Sequence, residues 1–362
     1  MVLLRVAEDD QLAAALAAAL AGGPPVTPRA PESALAAIRP DLPVTEPGAA
    51  AVVATSGSTG DPKAVVLTGA ALEFSARVTH ERLGGPGEWV CALPTHYVAG
   101  LMTVVRSVVA GRGLRFASPE LDELPAPGER SYLSLVATQL HRVLARPEQT
   151  ARLRDYAGVL VGGSAVPDGL REAALTAGVN LVATYGMSET CGGCVYDGVP
   201  LDGVGVELAQ ERIGLRGPMV FAGYRLRPEL TADVLDGDLV WTNDRGRFDP
   251  DGRLEVLGRF DDVVISGGEK VDLAAAQRLV DQLIGPDEGP VVLLGIPDRQ
   301  WGVRVVAVTT GGWSLDVLRD RLRARLGRAG LPKELRRVAE LAYTSTGKID
   351  RAGLIAAWQD EG

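Results

Sequence analysis

Cysteine and histidine are scarce, three of each in 362 residues. Cys191 and Cys194 have the C-x-x-C spacing, but zinc needs two further ligands, and Cys91, His80, His96 and His141 offer no second pair at ligand spacing. No thioredoxin-like pattern surrounds them, so the thiols read as reduced structural side chains. Lysine is nearly as rare: Lys63, Lys270, Lys333 and Lys348 are the only four among 37 basic residues, and the rest are arginine. Such an arginine and alanine bias reflects a GC-rich genome. Against it, Lys63, Lys270 and Lys348 stand out because all three fall in glycine-rich turns. A compact ammonium is not interchangeable with a planar guanidinium, and exposed solvated lysines are the plain alternative. Long apolar runs are missing too. The longest, Leu12–Ala21, falls well short of the roughly 20 residues a bilayer requires. Glu8, Asp9 and Asp10 precede it, where a secretory signal carries positive charge. Positive charge is itself in deficit. The net charge is −9 and no basic stripe appears, which argues against a nucleic-acid partner. A soluble cytoplasmic protein without membrane insertion is expected.

What is present is globular: 46% hydrophobic and 23% charged, in a chain too long for one ordinary core and suited to two or three domains. The first fifty residues read as two alanine-rich helices with a proline-rich connection. Strands are predicted at Ala51–Ala54, Val65–Thr68, Trp89–Leu93, Leu114–Phe116, Val159–Val161 and Leu181–Thr184. Helices are predicted at Gly69–His80, Ala99–Ala110, Leu135–Leu144 and Pro167–Ala177. This alternation is that of an α/β layered domain with its chemistry in loops at strand ends. Gly203–Asp262 turns into short strands and Gly/Asp turns, a small β subdomain. The pattern then resets into a smaller α+β domain. It has strands Val263–Ser266, Pro290–Gly295 and Arg304–Thr309 and helices Leu273–Leu283 and Leu315–Leu326. The expected division is a large domain over 1–258, a hinge over 259–262 and a small mobile domain over 263–362.

Thr55 to Lys63 reads T-S-G-S-T-G-D-P-K directly after a short apolar strand. A loop of small, hydroxylated and glycine residues can turn backbone N–H groups and hydroxyls onto phosphate oxygens, with a lysine as point charge. It is not a Walker loop, since Pro62 precedes the lysine and Ala64 follows it. Taken alone it could be a plain turn. Further along come Val161-Gly162-Gly163-Ser164-Ala165, Thr184-Tyr185-Gly186-Met187-Ser188-Glu189-Thr190 and Trp241-Thr242-Asn243-Asp244-Arg245-Gly246. Gly258-Arg259-Phe260-Asp261-Asp262, Ile265-Ser266-Gly267-Gly268-Glu269-Lys270-Val271 and Ser345-Thr346-Gly347-Lys348-Ile349-Asp350-Arg351 follow.

These six segments, in this order after the glycine-rich loop, resemble the adenylate-forming superfamily of acyl-CoA ligases, carrier-loading adenylation domains and luciferases. The resemblance runs from about Ala51 to Ala356. It implies the two-domain fold above, with ATP, Mg²⁺ and coenzyme A and a small-molecule acid as partners; a homodimer is left open. Thr55, Ser56, Gly57, Ser58, Thr59, Gly60 and Lys63 would hold the ATP phosphates. Gly163 and Ser164 would border adenine, Tyr185 would stack on it, and Thr184, Gly186, Met187 and Ser188 would complete that wall. Asp244 and Arg259 would hold the ribose, and Glu189 would ligate Mg²⁺. Lys348 would meet the carboxylate and the α-phosphate together, where a cation lowers the repulsion of two anions in the transition state. Asp261 sits at the hinge position, and Ser266, Gly267 and Gly268 would line the thiol tunnel. Each has a plain counterpart: a core tyrosine for Tyr185, a turn residue for Asp244, a surface carboxylate for Glu189 or Asp261.

The acid would lie against Pro94–Leu101, with Gly162, Gly186 and Ser188 opposite. His96 would orient the carboxylate or touch the α-phosphate, unless it is a satisfied core histidine. Arg106 is one guanidinium in the apolar stretch Leu101–Val109. Burying it unpaired is expensive, so it needs an anion, either a protein carboxylate or a second carboxylate of the substrate. The stretches His96–Ser107 and Thr184–Leu201 look like those superfamily members that activate an aromatic dicarboxylic acid of menaquinone biosynthesis through its succinyl carboxylate. A ligase for another carboxylic acid, a carrier-loading domain and a nucleotide-binding regulator without turnover are the other readings. Lys348 argues against the last.

Overall fold

The computed structural model describes residues 2–55, 62–284, 288–344 and 349–360. The chain forms two compact units, Met1–Thr242 with Phe248–Leu254, and Asn243–Arg247 with Glu255–Gly362. Segments 243–247 and 255–258, placed by the sequence in the large domain, group with the second unit. Arg245 Nη1 meets Asp272 Oδ2 at 2.6 Å, and the Leu257 carbonyl accepts from Arg278.

The first unit contains a seven-stranded sheet in the order Val199–Pro200, Gly192–Tyr196, Leu181–Met187, Gly158–Gly162, Ser131–Val136, Glu88–Cys91 and Leu114–Phe116. The last five strands are mutually parallel. Parallel strands are covered on both faces, and Val159, Leu160 and Val161 are all buried, so the strand reads as a continuous apolar run. The sequence placed a helix at Leu135–Leu144; it starts at Ala137, and Leu135 and Val136 finish the central strand Ser131–Val136. That strand escapes the eye because Ser131 and Ser134 interrupt its apolar pattern, although both are buried.

A second sheet runs Gly223–Tyr224, Lys63–Thr68, Ala49–Thr55, Val26–Pro28 and Arg5–Ala7. Two of its strands come from the first fifty residues, where the sequence reads only as two alanine-rich helices, which the structure places at Asp9–Leu20 and Glu32–Ile38. Three-residue strands beside proline carry too little periodicity to announce themselves. Arg225 fastens this region. Its buried guanidinium donates to the carbonyls of Ile38, Arg39, Leu42 and Pro43 at 2.6–3.2 Å, filling acceptors beyond the end of helix Glu32–Ile38.

The second unit is built on a sheet of Glu269–Asp272, Val263–Ser266, Gly302–Thr309 and Val291–Asp298, with Leu335–Arg337 parallel to Gly302–Thr309. Alternate residues of Val291–Asp298 serve two cores. Val291 and Leu293 pack with Val280 and Leu318, while Val292, Leu294 and Ile296 pack with Trp358. Helix Leu273–Leu283 starts at Asp272, whose side chain accepts from Ala275 N–H.

Candidate active site

Strands Glu88–Cys91, Ser131–Val136, Gly158–Gly162 and Leu181–Met187 run parallel, so their carboxyl ends share one edge of the sheet. In open α/β sheets that edge is where ligands bind. Three of the expected segments leave from it: Pro94–Tyr97, Gly163–Ser164 and the turn Ser188–Thr190. Val161 lies opposite Ala183, and the Thr184 hydroxyl donates to the Val161 carbonyl at 3.4 Å. Gly162, Thr184, Tyr185, Gly186, Met187 and Ser188 are therefore neighbours, all half-buried, while Gly163 and Ser164 are exposed. The register slips between Tyr185 and Gly186. A Cβ on Gly186 would stand 2.0 Å from the Gly192 carbonyl oxygen, so only glycine permits the hairpin to close here.

Thr55 pairs with Lys63 as the last rung of an antiparallel hairpin, and the Thr55 hydroxyl donates to the Lys63 carbonyl at 3.5 Å. Ser56, Gly57, Ser58, Thr59 and Gly60 lie outside the described residues, as does Lys348. Lys63 Nζ stands 5.2 Å from the ring centroid of Tyr224. The Tyr224 hydroxyl donates to Glu189 Oε1 at 2.6 Å, and Glu189 is buried. Burial, then the Glu189 charge, raises the Tyr224 pKa, so the phenol keeps its proton and remains a donor. A lysine, a phenol and a buried carboxylate are thus linked beside the end of strand Leu181–Met187.

On the helix side, His96 is half-buried with its ring against Tyr97, centroids 4.3 Å apart. Its Nε2 is buried with no hydrogen-bond partner. Burial lowers the imidazole pKa, and the Asp9 carboxylate acts in the opposite direction. Thr95, which is 4% exposed, donates its hydroxyl to Asp9 Oδ1. Arg106 is also only 4% exposed, and its guanidinium lies 5.1 Å from the Trp89 ring centroid. Its Nε has no hydrogen-bond partner, and among the described residues no carboxylate forms an ion pair with it. Of the two anions the sequence leaves open for Arg106, a protein carboxylate is thus not found among the described residues. Arg106 is eight residues in from Val98, about 12 Å along the helix axis, so its charge is set back from the carboxyl edge of the sheet. Trp89 Nε1 donates to His80 Nε2 at 3.1 Å, and burial, then the Arg106 charge, lowers the His80 pKa to about 4.

In the second unit Arg259 reaches Asp261 through two nitrogens, at 2.9 and 3.2 Å, and Asp244 at 3.5 Å. Gly267 and Gly268 turn at φ +59° and +85°, a left-handed pair that side chains resist. Ser266 before them is fully buried, with an Oγ that has no partner. Cys91, Cys191 and Cys194 are free and buried, and burial pushes Cys91 up to about 11 and Cys194 to about 12. No helix among the described residues is long and apolar enough to cross a membrane.

The family described as "AMP-binding enzyme" matches residues 5–238. The chain belongs to the AMP-binding enzyme family. A Mycobacterium tuberculosis protein, named a probable 2-succinylbenzoate–CoA ligase, is 39% identical over 369 residues, covering 96% of this chain and 95% of that one. Among solved structures, the Bacillus subtilis o-succinylbenzoate CoA synthetase in complex with the acyl-adenylate intermediate OSB-AMP superposes with a TM-score of 0.73. It is 25% identical and covers 86% of this chain and 69% of that one. An Escherichia coli MenE variant with bound OSB-AMS gives a TM-score of 0.78 at 25% identity, covering 100% of this chain and 89% of that one. The α/β adenylate-forming fold expected from the sequence is thus the fold of this AMP-binding enzyme. Tyr224 and Asp9, beside this candidate site, are not signalled by the sequence. Tyr224 lies in a short edge strand far along the chain from Glu189. Asp9 carries no signal beyond the negative charge ahead of the first helix.

Proposed function

We propose that this AMP-binding enzyme is a cytoplasmic acid–thiol ligase of menaquinone biosynthesis. It would activate 2-succinylbenzoate with ATP and pass the acyl group to coenzyme A, giving 2-succinylbenzoyl-CoA, AMP and pyrophosphate. The likeness to 2-succinylbenzoate ligases over 96% of the chain supports the reaction. The observation that carries the substrate is Arg106, a buried guanidinium with no ion-paired carboxylate among the described residues. A dicarboxylic acid brings one carboxylate to react and one to spare, and the spare one answers that need.

In this reading a succinyl carboxylate oxygen attacks the α-phosphorus and pyrophosphate leaves. The thiol sulfur then attacks the acyl carbon and AMP leaves. Ser56–Gly60, Thr55 and Lys63 hold the β- and γ-phosphates; Tyr185 faces adenine beside Gly163 and Ser164. Asp244 and Arg259, already within 3.5 Å of one another, take the ribose hydroxyls. Glu189 fits a hard cation. It is a buried carboxylate oriented by Tyr224, and Mg²⁺ needs only one or two protein oxygens when phosphates and water supply the rest. The cation's chemistry is to neutralise phosphate charge. His96 borders the reacting carboxylate with Gly162, Gly186 and Ser188, and Lys348 spans the carboxylate and the α-phosphate. Asp261 is the hinge for thioester formation, and Ser266–Gly268 line the pantetheine path. ATP–pyrophosphate exchange with 2-succinylbenzoate, benzoate and medium-chain fatty acids tests the reading. Exchange with 2-succinylbenzoate, followed by thioester formation on adding coenzyme A, is expected. Exchange confined to monocarboxylic acids would refute it.

A further inference from the structure

Thr95 is buried in the turn that leads into helix Val98–Ala110, and its hydroxyl finds its acceptor 86 residues away, on Asp9. Backbone bonds also hold this turn. Tyr97 N–H bonds the Pro94 carbonyl at 3.2 Å and Leu101 N–H bonds the Tyr97 carbonyl at 3.0 Å. Gly100 lies so close to Pro94 that a Cβ would stand 2.3 Å from its carbonyl oxygen. Those contacts set the path of the chain, but they leave the Thr95 side chain without an anchor.

Asp9 is well placed to be that anchor. It opens helix Asp9–Leu20, whose buried residues Leu12 and Leu16 share a core with Leu101, Val104 and Val105 of the following helix. Packing therefore fixes where the carboxylate stands. Neighbouring Glu8 pairs with Arg29, whereas among the described residues Asp9 forms no ion pair, and the helix N-terminus supports its charge. The next residue is His96, whose Nε2 is buried without a partner and on whose imidazole the Asp9 charge acts.

We propose that Asp9 is a positioning residue for the acid side of the site: through Thr95 it sets the direction in which His96 is presented to the substrate carboxylate. The first helix would then belong to the active site as well as to the core. The inference rests on the reading of His96 given above. A purely structural Asp9 would move stability and leave the acid kinetics alone.

The test is pyrophosphate exchange by the full chain with 2-succinylbenzoate, together with thermal melting. Asp9→Ala and Thr95→Val should each raise KM for the acid by about tenfold, the worth of one charge-assisted hydrogen bond, with KM for ATP unchanged within about twofold. The double variant should be no worse than either single one, because both delete the same contact. Asp9→Asn keeps an acceptor and Thr95→Ser keeps a donor, so both should recover most of the loss. Multiplying effects in the double variant would overturn the proposal, as would a fall in Tm with KM for the acid unmoved, or an equal rise in KM for ATP. Thr95→Val removes the bond without touching the helix start, so it decides the matter if Asp9→Ala does not fold. A wild-type chain inactive on 2-succinylbenzoate would sink the functional reading itself. An active wild type with kinetically silent Asp9→Ala and Thr95→Val would sink only this inference.

Discussion

Arg106→Leu separates what a buried charge does for substrate from what it does for the fold. The side chain is 4% exposed, stacks on Trp89 at 5.1 Å and forms no ion pair among the described residues. Its contribution to stability is then the cation–π contact, about 2 kcal/mol when desolvated, set against several kcal/mol for stripping water from the cation. Even buried ion pairs can often be replaced by well-packed hydrophobic residues at no cost or with a gain in stability, and a buried guanidinium without an ion pair has less to lose. The Tm should therefore stay within about 3 °C of wild type or rise. The kinetics should move strongly. A charged hydrogen bond to the aromatic carboxylate is worth about 1.5–3 kcal/mol, so KM for 2-succinylbenzoate should rise roughly 10- to 150-fold. KM for ATP should hold, and an aryl butyrate lacking the second carboxylate should become the better substrate. Arg106→Lys should fall between, keeping a charge but losing the planar stack on Trp89. Initial rates by pyrophosphate release and a thermal melt suffice to check this. A large fall in Tm with parallel rises in both KM values would refute the reasoning and make Arg106 a structural ion.

Three further outcomes are expected. Lys348→Ala should slow adenylation by about 10²–10³ yet spare thioester formation from supplied acyl-adenylate; equal loss in both half-reactions would remove Lys348 from its role. Asp261→Pro, which fixes φ near −65°, should block thioester formation and spare adenylation. Asp261→Ala, which removes one of the two carboxylates on Arg259 without fixing φ, should be far milder, as stopped single-turnover assays of each half-reaction would show. His80 sets an acid limit on stability. Its folded pKa is about 4 against an ordinary 6.5, so below 6.5 the unfolded chain takes up a proton that the folded one refuses. Stability should fall by about 3 kcal/mol as pH drops from 6.5 toward 4, and His80→Gln, which still accepts from Trp89, should flatten that slope in urea titrations.

The candidate site is legible in the sequence wherever its motifs are local. Gly162–Ser164 and Thr184–Glu189 announce themselves as glycine-interrupted strand ends, and parallel pairing then puts them side by side. Helix Val98–Ala110 was placed within a residue because its apolar face is nearly unbroken. Arg106 could be singled out against that face, but the absence of a pairing carboxylate could be learned only in three dimensions. Contacts spanning many residues left no trace: Tyr224 with Glu189, 35 apart, and Asp9 with Thr95, 86 apart. Strands Arg5–Ala7 and Val26–Pro28 were hidden for a different reason, since three residues cannot establish a period of two.

Arg225 also imposes an order of events. The carbonyls it satisfies belong to residues 38–43, more than 180 positions earlier, and Gly223–Tyr224 beside it is the far edge strand of the sheet that Arg5–Ala7 and Val26–Pro28 complete. At about 5–20 residues per second, a ribosome that has finished the first fifty residues works for about another 9–35 s before it adds Arg225. During that interval the Arg39 carbonyl can accept from Leu42 N–H, but the guanidinium that ties residues 38–43 together is missing. Residues 38–43 are made early and receive this tie late. The entropy cost of closing a loop of more than 180 residues is offset in part by the hydrogen bonds of a single guanidinium.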